Sequence, residues 1–299
     1  MKTLKPAGAS LTTLFCIQLA VLVVPTAAVA QEYTYPDSLR QPPMIYSPYV
    51  QRTAADANFA EGVYWGDTHL HTSYSPDAFL MQNRSATPDT AYQYAKGAPV
   101  IHPLHRARVQ IETPLDFLVV SDHAEFMGVV PKILQGDPLV VGTPTGKRYQ
   151  EMAAAGKEIE VFGDLIAQIN GVIPVNQDLN SPEVNSTVWG EIMSAADRHN
   201  EPGKFTAFMG WEWSSTPGGA NLHRVVVMRE GKEKGKQFIP YTSLESDKPE
   251  DLWKWLDMTT TKTGANFIAI PHNSNISQGL MFPLQDSEGN LISKEYADT

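Results

Sequence analysis

Three times in this chain an apolar run of strand length ends directly in a histidine: YWGDTHLH at 64–71, PLDFLVVSDH at 114–123 and NFIAIPH at 266–272. In α/β sheets the residues just past the C-terminal ends of the strands are where ligands and chemistry are placed. A metal centre on an α/β barrel explains the recurrence better than separate accidents do. The first run carries the clearest geometry. Residues two apart on a strand share a face, so His69 and His71 can hold one ion while Leu70 packs behind them, and a turn of Ser75, Pro76 and Asp77 follows.

The second run is continuously apolar, as expected of a strand buried on both faces. It makes His123 a ligand candidate, with Asp122 able either to orient it or to bind. At 205–213, FTAFMGWEW, alternation sets Glu212 on the face opposite Trp211 and Trp213. A carboxylate bracketed in this way needs an arginine or a metal to offset its burial, and the histidines favour the metal. His223 follows a turn at Gly218, Gly219 and Ala220 and leads into a strand at 224–229; a backbone-bonded turn histidine and a ligand fit it equally well. His272 closes the last strand. Asp67, Asp122 and Asn273 stand beside these residues as groups that would orient them.

The remaining histidines have simpler roles. His102 and His105 lie in a Pro-interrupted, Arg-rich segment that no strand end presents, and read as solvated loop residues. His199 ends an amphipathic helix and would interact with its dipole. A helix is expected from Thr87, Pro88 and Asp89 to Gly97, and another over 252–258 with a polar connection at 259–264. Residues 129–203 form a long excursion with helical patches, expected to be a small subdomain or a lid.

The N-terminus reads as an export signal: Lys2 and Lys5, an apolar run at 11–24, then Ala28, Val29 and Ala30 before Gln31. Cleavage after Ala30 would remove Cys16, the only cysteine, so the exported protein, periplasmic or secreted, would have no disulfide and no thiolate ligand. It would also carry no stable membrane span. Residues 31–61 are rich in proline and expected to lie extended. Without the signal the chain has 21 basic residues against 33 acidic ones, a charge of −12, which argues against nucleic acid as a partner. An anionic substrate would need bound cations to attract it. The sequence leaves the oligomeric state open.

Taken together, THLHTSYSPDA, VVSDHAE, GWEW, NLHRVV and AIPHNS resemble, in order, motifs of the polymerase-and-histidinol-phosphatase (PHP) superfamily of metallohydrolases. YWGDTHLHT with PLDFLVVSDHAEFMG is more specifically similar to a branch of large exported proteins catalogued mainly as a domain of unknown function. The resemblance implies an α/β fold: a distorted, TIM-like β/α barrel over residues 62–299, with 129–203 as a largely helical insertion. It implies two to three divalent ions, Zn, Mn or Fe. His69, His71 and Glu212 would hold one; Glu212 would bridge to a second held by His223 and His272; Asp77 and His123 would hold a third.

The Asp-x-His motif with which the family closes its centre near the end of the barrel does not occur after His272, and only about five barrel strands can be counted. The expectation is a barrel incomplete at its C-terminus. The activity implied is hydrolysis of a phosphoester by metal-activated water, with Glu212 and Asp77 at the reacting centre and Arg224 or the third ion stabilising the leaving oxygen. Hydrolysis of another ester or an amide, or metal binding without catalysis, are the alternatives.

Overall fold

The structure is a computed structural model and describes residues 63–297. The expected export signal at 1–30 and the extended segment at 31–61 lie outside the described residues. The chain runs β1 (Gly66–Leu70), α1 (Pro76–Leu80), α2 (Pro88–Ala95), a small hairpin of β2 (Val100–Ile101) and β3 (Arg108–Val109), then β4 (Phe117–Val120). Five helices follow: α3 (Val129–Gln135), α4 (Pro138–Val141), α5 (Pro144–Ala154), α6 (Glu158–Ile169) and α7 (Pro182–His199). The chain then forms β5 (Thr206–Trp213), β6 (Arg224–Met228), α8 (Lys232–Gly235), α9 (Pro249–Thr263), β7 (Phe267–Pro271) and α10 (Lys294–Ala297).

Five strands make one mixed sheet in the order β1-β4-β5-β6-β7. β1, β4 and β5 are parallel, whereas β6 runs antiparallel to both of its neighbours. The reversal has a chain-length cause. Residues 214–223 are too few for the crossover that a parallel partner of β5 would require, so β6 must return as a hairpin. His223 therefore precedes its strand, whereas His69 lies at the end of β1 and His71, His123 and His272 follow their strands, yet all reach the same end of the sheet.

The sheet curls into a half-barrel. A flat five-stranded sheet would set its edge strands about 19 Å apart, but His69 on β1 and His272 just past β7 bring their ring centroids within 4.9 Å. Two glycines on the inner face permit the curl. A Cβ on Gly210 would meet Val119 Cγ1 at 2.6 Å and the Val226 carbonyl at 2.7 Å, and one on Gly66 would meet the Phe117 carbonyl at 2.4 Å.

The outer face of the sheet carries the main core. Leu118 and Val120 of β4, Met209, Trp211 and Trp213 of β5, and Val226 and Met228 of β6 are buried against Tyr92 of α2, Trp189, Ile192 and Met193 of α7, and Leu252 of α9. Each such side chain contributes about 1.5–3 kcal/mol by leaving water. The indoles of Trp189 and Trp211 meet edge to face, with centroids 5.8 Å apart, and donate to the carbonyls of Gly235 and Tyr241.

The excursion at 129–203 divides in two. Its first part, α3 to α6, packs around a separate apolar cluster that includes Phe126, Val130, Ile133, Tyr149 and Leu165. α7 instead covers the sheet: the Ser181 side chain accepts from the Val184 amide, Pro182 opens the helix, and Val188, Trp189, Ile192, Met193, Ala195 and Ala196 are buried in the main core. α9 also runs further than expected, through 259–263. The Thr263 hydroxyl donates back to the Thr259 carbonyl at 2.7 Å, both threonines are buried, and Gly264 ends the helix in the left-handed conformation at φ 70°.

Candidate metal centre

The curl brings five histidines from four parts of the chain into a closed ring. Their centroids follow in order: His69 to His71 at 5.2 Å, His71 to His123 at 4.6 Å, His123 to His223 at 5.3 Å, His223 to His272 at 5.5 Å, and His272 back to His69 at 4.9 Å. Glu212, fully buried, projects from β5 into the middle. Its Oε2 lies 3.1 Å from His69 Nε2, 2.7 Å from His71 Nε2 and 3.5 Å from His123 Nδ1. Its Oε1 lies 2.9 Å from His223 Nδ1 and 3.9 Å from His272 Nε2. Asp77, at the start of α1, reaches His71 Nδ1 at 3.1 Å and His123 Nε2 at 3.5 Å.

Three groups within this ring have donor atoms close enough to hold a metal ion: His69, His71 and Glu212; His71, Asp77 and His123; and His123, Glu212 and His223. Every ligand expected from the sequence is thus brought to one place, but the partition differs. His71 and His123 each belong to two groups, while His272 stands at the rim.

The electrostatics are those of a tightly coupled cluster. Burial would raise the Glu212 carboxyl, but hydrogen bonds from His223 and His69 and the close His71 and His123 rings outweigh it and hold the group far below the usual range. Asp77 is held low in the same way, its burial outweighed by His123 and His71. Burial would lower His71, yet Asp77 and Glu212 push it up to about 10.

None of the three residues expected to orient the ligands hydrogen-bonds an imidazole. The Asp122 carboxylate accepts from the Thr72 amide at 2.5 Å and hydroxyl at 2.7 Å, so it anchors the turn after His71 instead of touching His123; burial raises it to about 6. Asp67 accepts from the His69 amide at 2.8 Å, and Asn273 is exposed and bonds Asn275. Arg224 does not reach the ring. Its strand neighbour Trp213 places it on the outer face, where its guanidinium donates to the carbonyls of Leu222 and His223. Its charge is turned away from the imidazoles.

The residues that hold the imidazoles are ones to which no such role is assigned from the sequence. Ser214 Oγ lies 2.6 Å from His123 Nδ1, Thr216 Oγ1 lies 3.2 Å from His223 Nε2, and Ser75 Oγ lies 3.0 Å from His71 Nδ1. Glu125, fully buried, accepts from the amides of Ser214 and Ser243 through Oε1 and so ties down the loop that bears Ser214. Small hydroxyl residues after a strand have no distinguishing pattern; only Glu125, inside the VVSDHAE segment, carried a signal, as an acid ending an apolar run.

The donor set fits divalent ions. It is nitrogen and oxygen without sulfur, suited to Zn, Mn or Fe. His71 Nε2 is buried, 2.7 Å from Glu212 Oε2, and yet not aligned to hydrogen-bond with any group; His272 Nδ1 is likewise buried without a partner. Two donor atoms so close without a shared proton direction are arranged to converge on a third body rather than on each other. Among the described residues no helix is long and apolar enough to cross a membrane.

A family model described as "Protein of unknown function (DUF3604)" matches residues 58–299. No curated protein and no solved structure matches the chain.

Proposed function

The chain belongs to the DUF3604 family, whose description assigns no activity, and from that premise we propose that it is an exported metal-dependent hydrolase acting on a small anionic ester, with phosphoesters as the leading class. The observation that supports this reading is the closed ring of five imidazoles around one fully buried carboxylate. A purely structural role would leave such a cluster costly, because five basic rings share two carboxylates at the cost of burial. The half-barrel, with its ligands at one end, supports a distant relationship to the PHP metallohydrolases and their β/α barrels.

His69, His71, Asp77, His123, Glu212, His223 and His272 are the residues that would hold two to three divalent ions. Such ions supply an activated water and Lewis-acid charge stabilisation. The chain's own contribution is placement. Glu212 divides its two oxygens between the His69/His71 side and the His223/His272 side, so one carboxylate sets the spacing of both halves of the centre. Ser214 and Thr216 occupy the second nitrogens of His123 and His223, which selects the nitrogen each presents to the centre. Because the chain is acidic overall, an anionic substrate would be drawn in by the local positive charge of the loaded centre rather than by the protein's wider field.

The test is metal content by elemental analysis alongside hydrolysis of chromogenic phosphate mono- and diesters, carboxylic esters and amides, for the native chain and Glu212→Gln. Two or more ions per native chain, turnover of a phosphoester and loss of both in the variant are expected. Retention of two ions by Glu212→Gln sinks the assignment of Glu212; metal uptake with no turnover of any substrate replaces the hydrolase by a metal-binding protein.

A further inference from the structure

On the face of β6 opposite the histidines, Arg224 is only 5% exposed. Its Nη1 donates to the carbonyls of Leu222 and His223 and lies 2.8 Å from the sulfur of Met281. Among the described residues no carboxylate forms an ion pair with it, and Nε and Nη2 have no acceptor. Glu250 acts on it only at longer range, since its oxygens are taken by the amide and hydroxyl of Ser287 and the hydroxyl of Tyr296.

Arg224, without a direct ion-pair partner, lines a cavity of about 700 Å³ whose rim also carries Asp247, Lys248, Glu250 and Asp286. That volume lies within the range of ligand pockets, which runs from roughly 300 to 1,000 Å³. The cavity's walls are otherwise mostly apolar, with Leu222, Trp253, Leu280, Met281 and Tyr296 among them. We propose that the cavity is a second binding site, independent of the metal centre, for a small amphipathic carboxylate whose head pairs with Arg224 and whose apolar body rests against Trp253, Leu222 and Met281.

The chemistry follows from the fork. A buried charge is costly without a partner of opposite sign, and a planar carboxylate matches the two donor atoms that Arg224 leaves unused. An inorganic anion would satisfy the charge but leave the apolar walls wet. A neutral aromatic would fill the walls but leave the charge unpaired. Only a molecule with both parts offsets both.

The experiment is calorimetric titration of the full chain with 2-naphthoate, with and without EDTA, beside the neutral 2-naphthylmethanol and inorganic phosphate. Saturable one-to-one binding of 2-naphthoate that survives EDTA, and is weakened about tenfold or more by Arg224→Met, is expected. Any of four results overturns the site: no saturable binding, equal affinity for the neutral alcohol, loss of binding on EDTA, or full affinity in Arg224→Met. Tighter binding of phosphate than of naphthoate overturns the amphipathic ligand as well. If Arg224→Met fails to fold, Leu280→Trp decides in its place. It fills the cavity from a half-exposed position, and unchanged naphthoate affinity in it would equally count against the proposal.

Discussion

Trp211, Glu212 and Trp213 are consecutive on β5 and equally buried, yet the two faces of the strand solve burial differently. On the outer face each indole is closed off within the chain: Trp211 donates to the Tyr241 carbonyl at 3.1 Å and Trp213 to the Ser246 carbonyl at 3.3 Å, and both sit in packed apolar surroundings. On the inner face Glu212 is answered by five imidazoles, two of which, His71 and His272, leave a buried ring nitrogen unsatisfied. Around the two indoles the outer face of β5 is complete as it stands. The inner one is arranged for something the side chains alone do not complete, so stability and function are divided between alternate residues of one strand.

The sharpest way to break that division is to truncate Trp211. Trp211→Ala is expected to cost about 3–5 kcal/mol of stability, read from denaturant unfolding, while the folded fraction keeps its full metal content. Glu212→Gln next to it is expected to do the reverse and abolish metal loading. A Trp211→Ala protein that folds and yet loses its metal would show that the two faces are one system.

Gly210 tests where the faces meet. It lies on the inner face two residues before Glu212, and a side chain there would collide with Val119 and with the Val226 carbonyl. Gly210→Val is expected to cost about 1–3 kcal/mol by overpacking and, by opening the curl, to weaken metal binding too. Unfolding midpoints and metal titration of the same variant measure both, and a normal metal affinity would mean that the curl does not set the ring.

How much of this could be read in the sequence follows the same division. Period-two alternation placed Glu212 opposite two tryptophans, and strand ends picked out His69, His71, His123 and His272, because both signals are local; Asp77 and His223 were set among the ligands only by the family resemblance. The partition among ligands was not legible. His71 and His123 are shared between groups because the sheet curls, and curl depends on Gly66 and Gly210, whose consequences arise only from neighbouring strands. The direction of β6 was within reach, since residues 214–223 are too few for a crossover. Arg224 was misplaced because it adjoins His223 in sequence, and adjacent strand residues face opposite ways. Ser214, Thr216 and Thr72 left no trace, since a hydroxyl that orients an imidazole looks like any loop serine or threonine.

Ser214 is the finer probe of the inner face. Ser214→Ala removes the 2.6 Å partner of His123 Nδ1 and nothing from the apolar core. Metal affinity is expected to fall roughly 10- to 100-fold, as is usual when the group behind a ligating histidine is lost, with little change in unfolding midpoint. Unchanged affinity in a competition titration with a metal-binding dye would remove Ser214 from the centre.

The smallest expected effect lies outside the ring, at the start of α7. Ser181 accepts from the Val184 amide at 3.2 Å, and Ser181→Ala should cost about 1 kcal/mol, with metal binding untouched. Its value is in where the loss is felt. Val184 packs in the helical cluster of α3 to α6, whereas Val188 to Ala196 pack on the sheet, so one unbroken helix serves both cores. If they unfold as one unit, the cap's loss lowers the global transition and speeds the slowest amide exchange in β5 and in α5 alike. If the α3 to α6 cluster opens by itself as a lid would, exchange in α5 and α6 accelerates while β5 and the global midpoint stay fixed. The continuity of α7 favours the first outcome, because fraying its first turn also loosens the helix that buries Trp189 against Trp211.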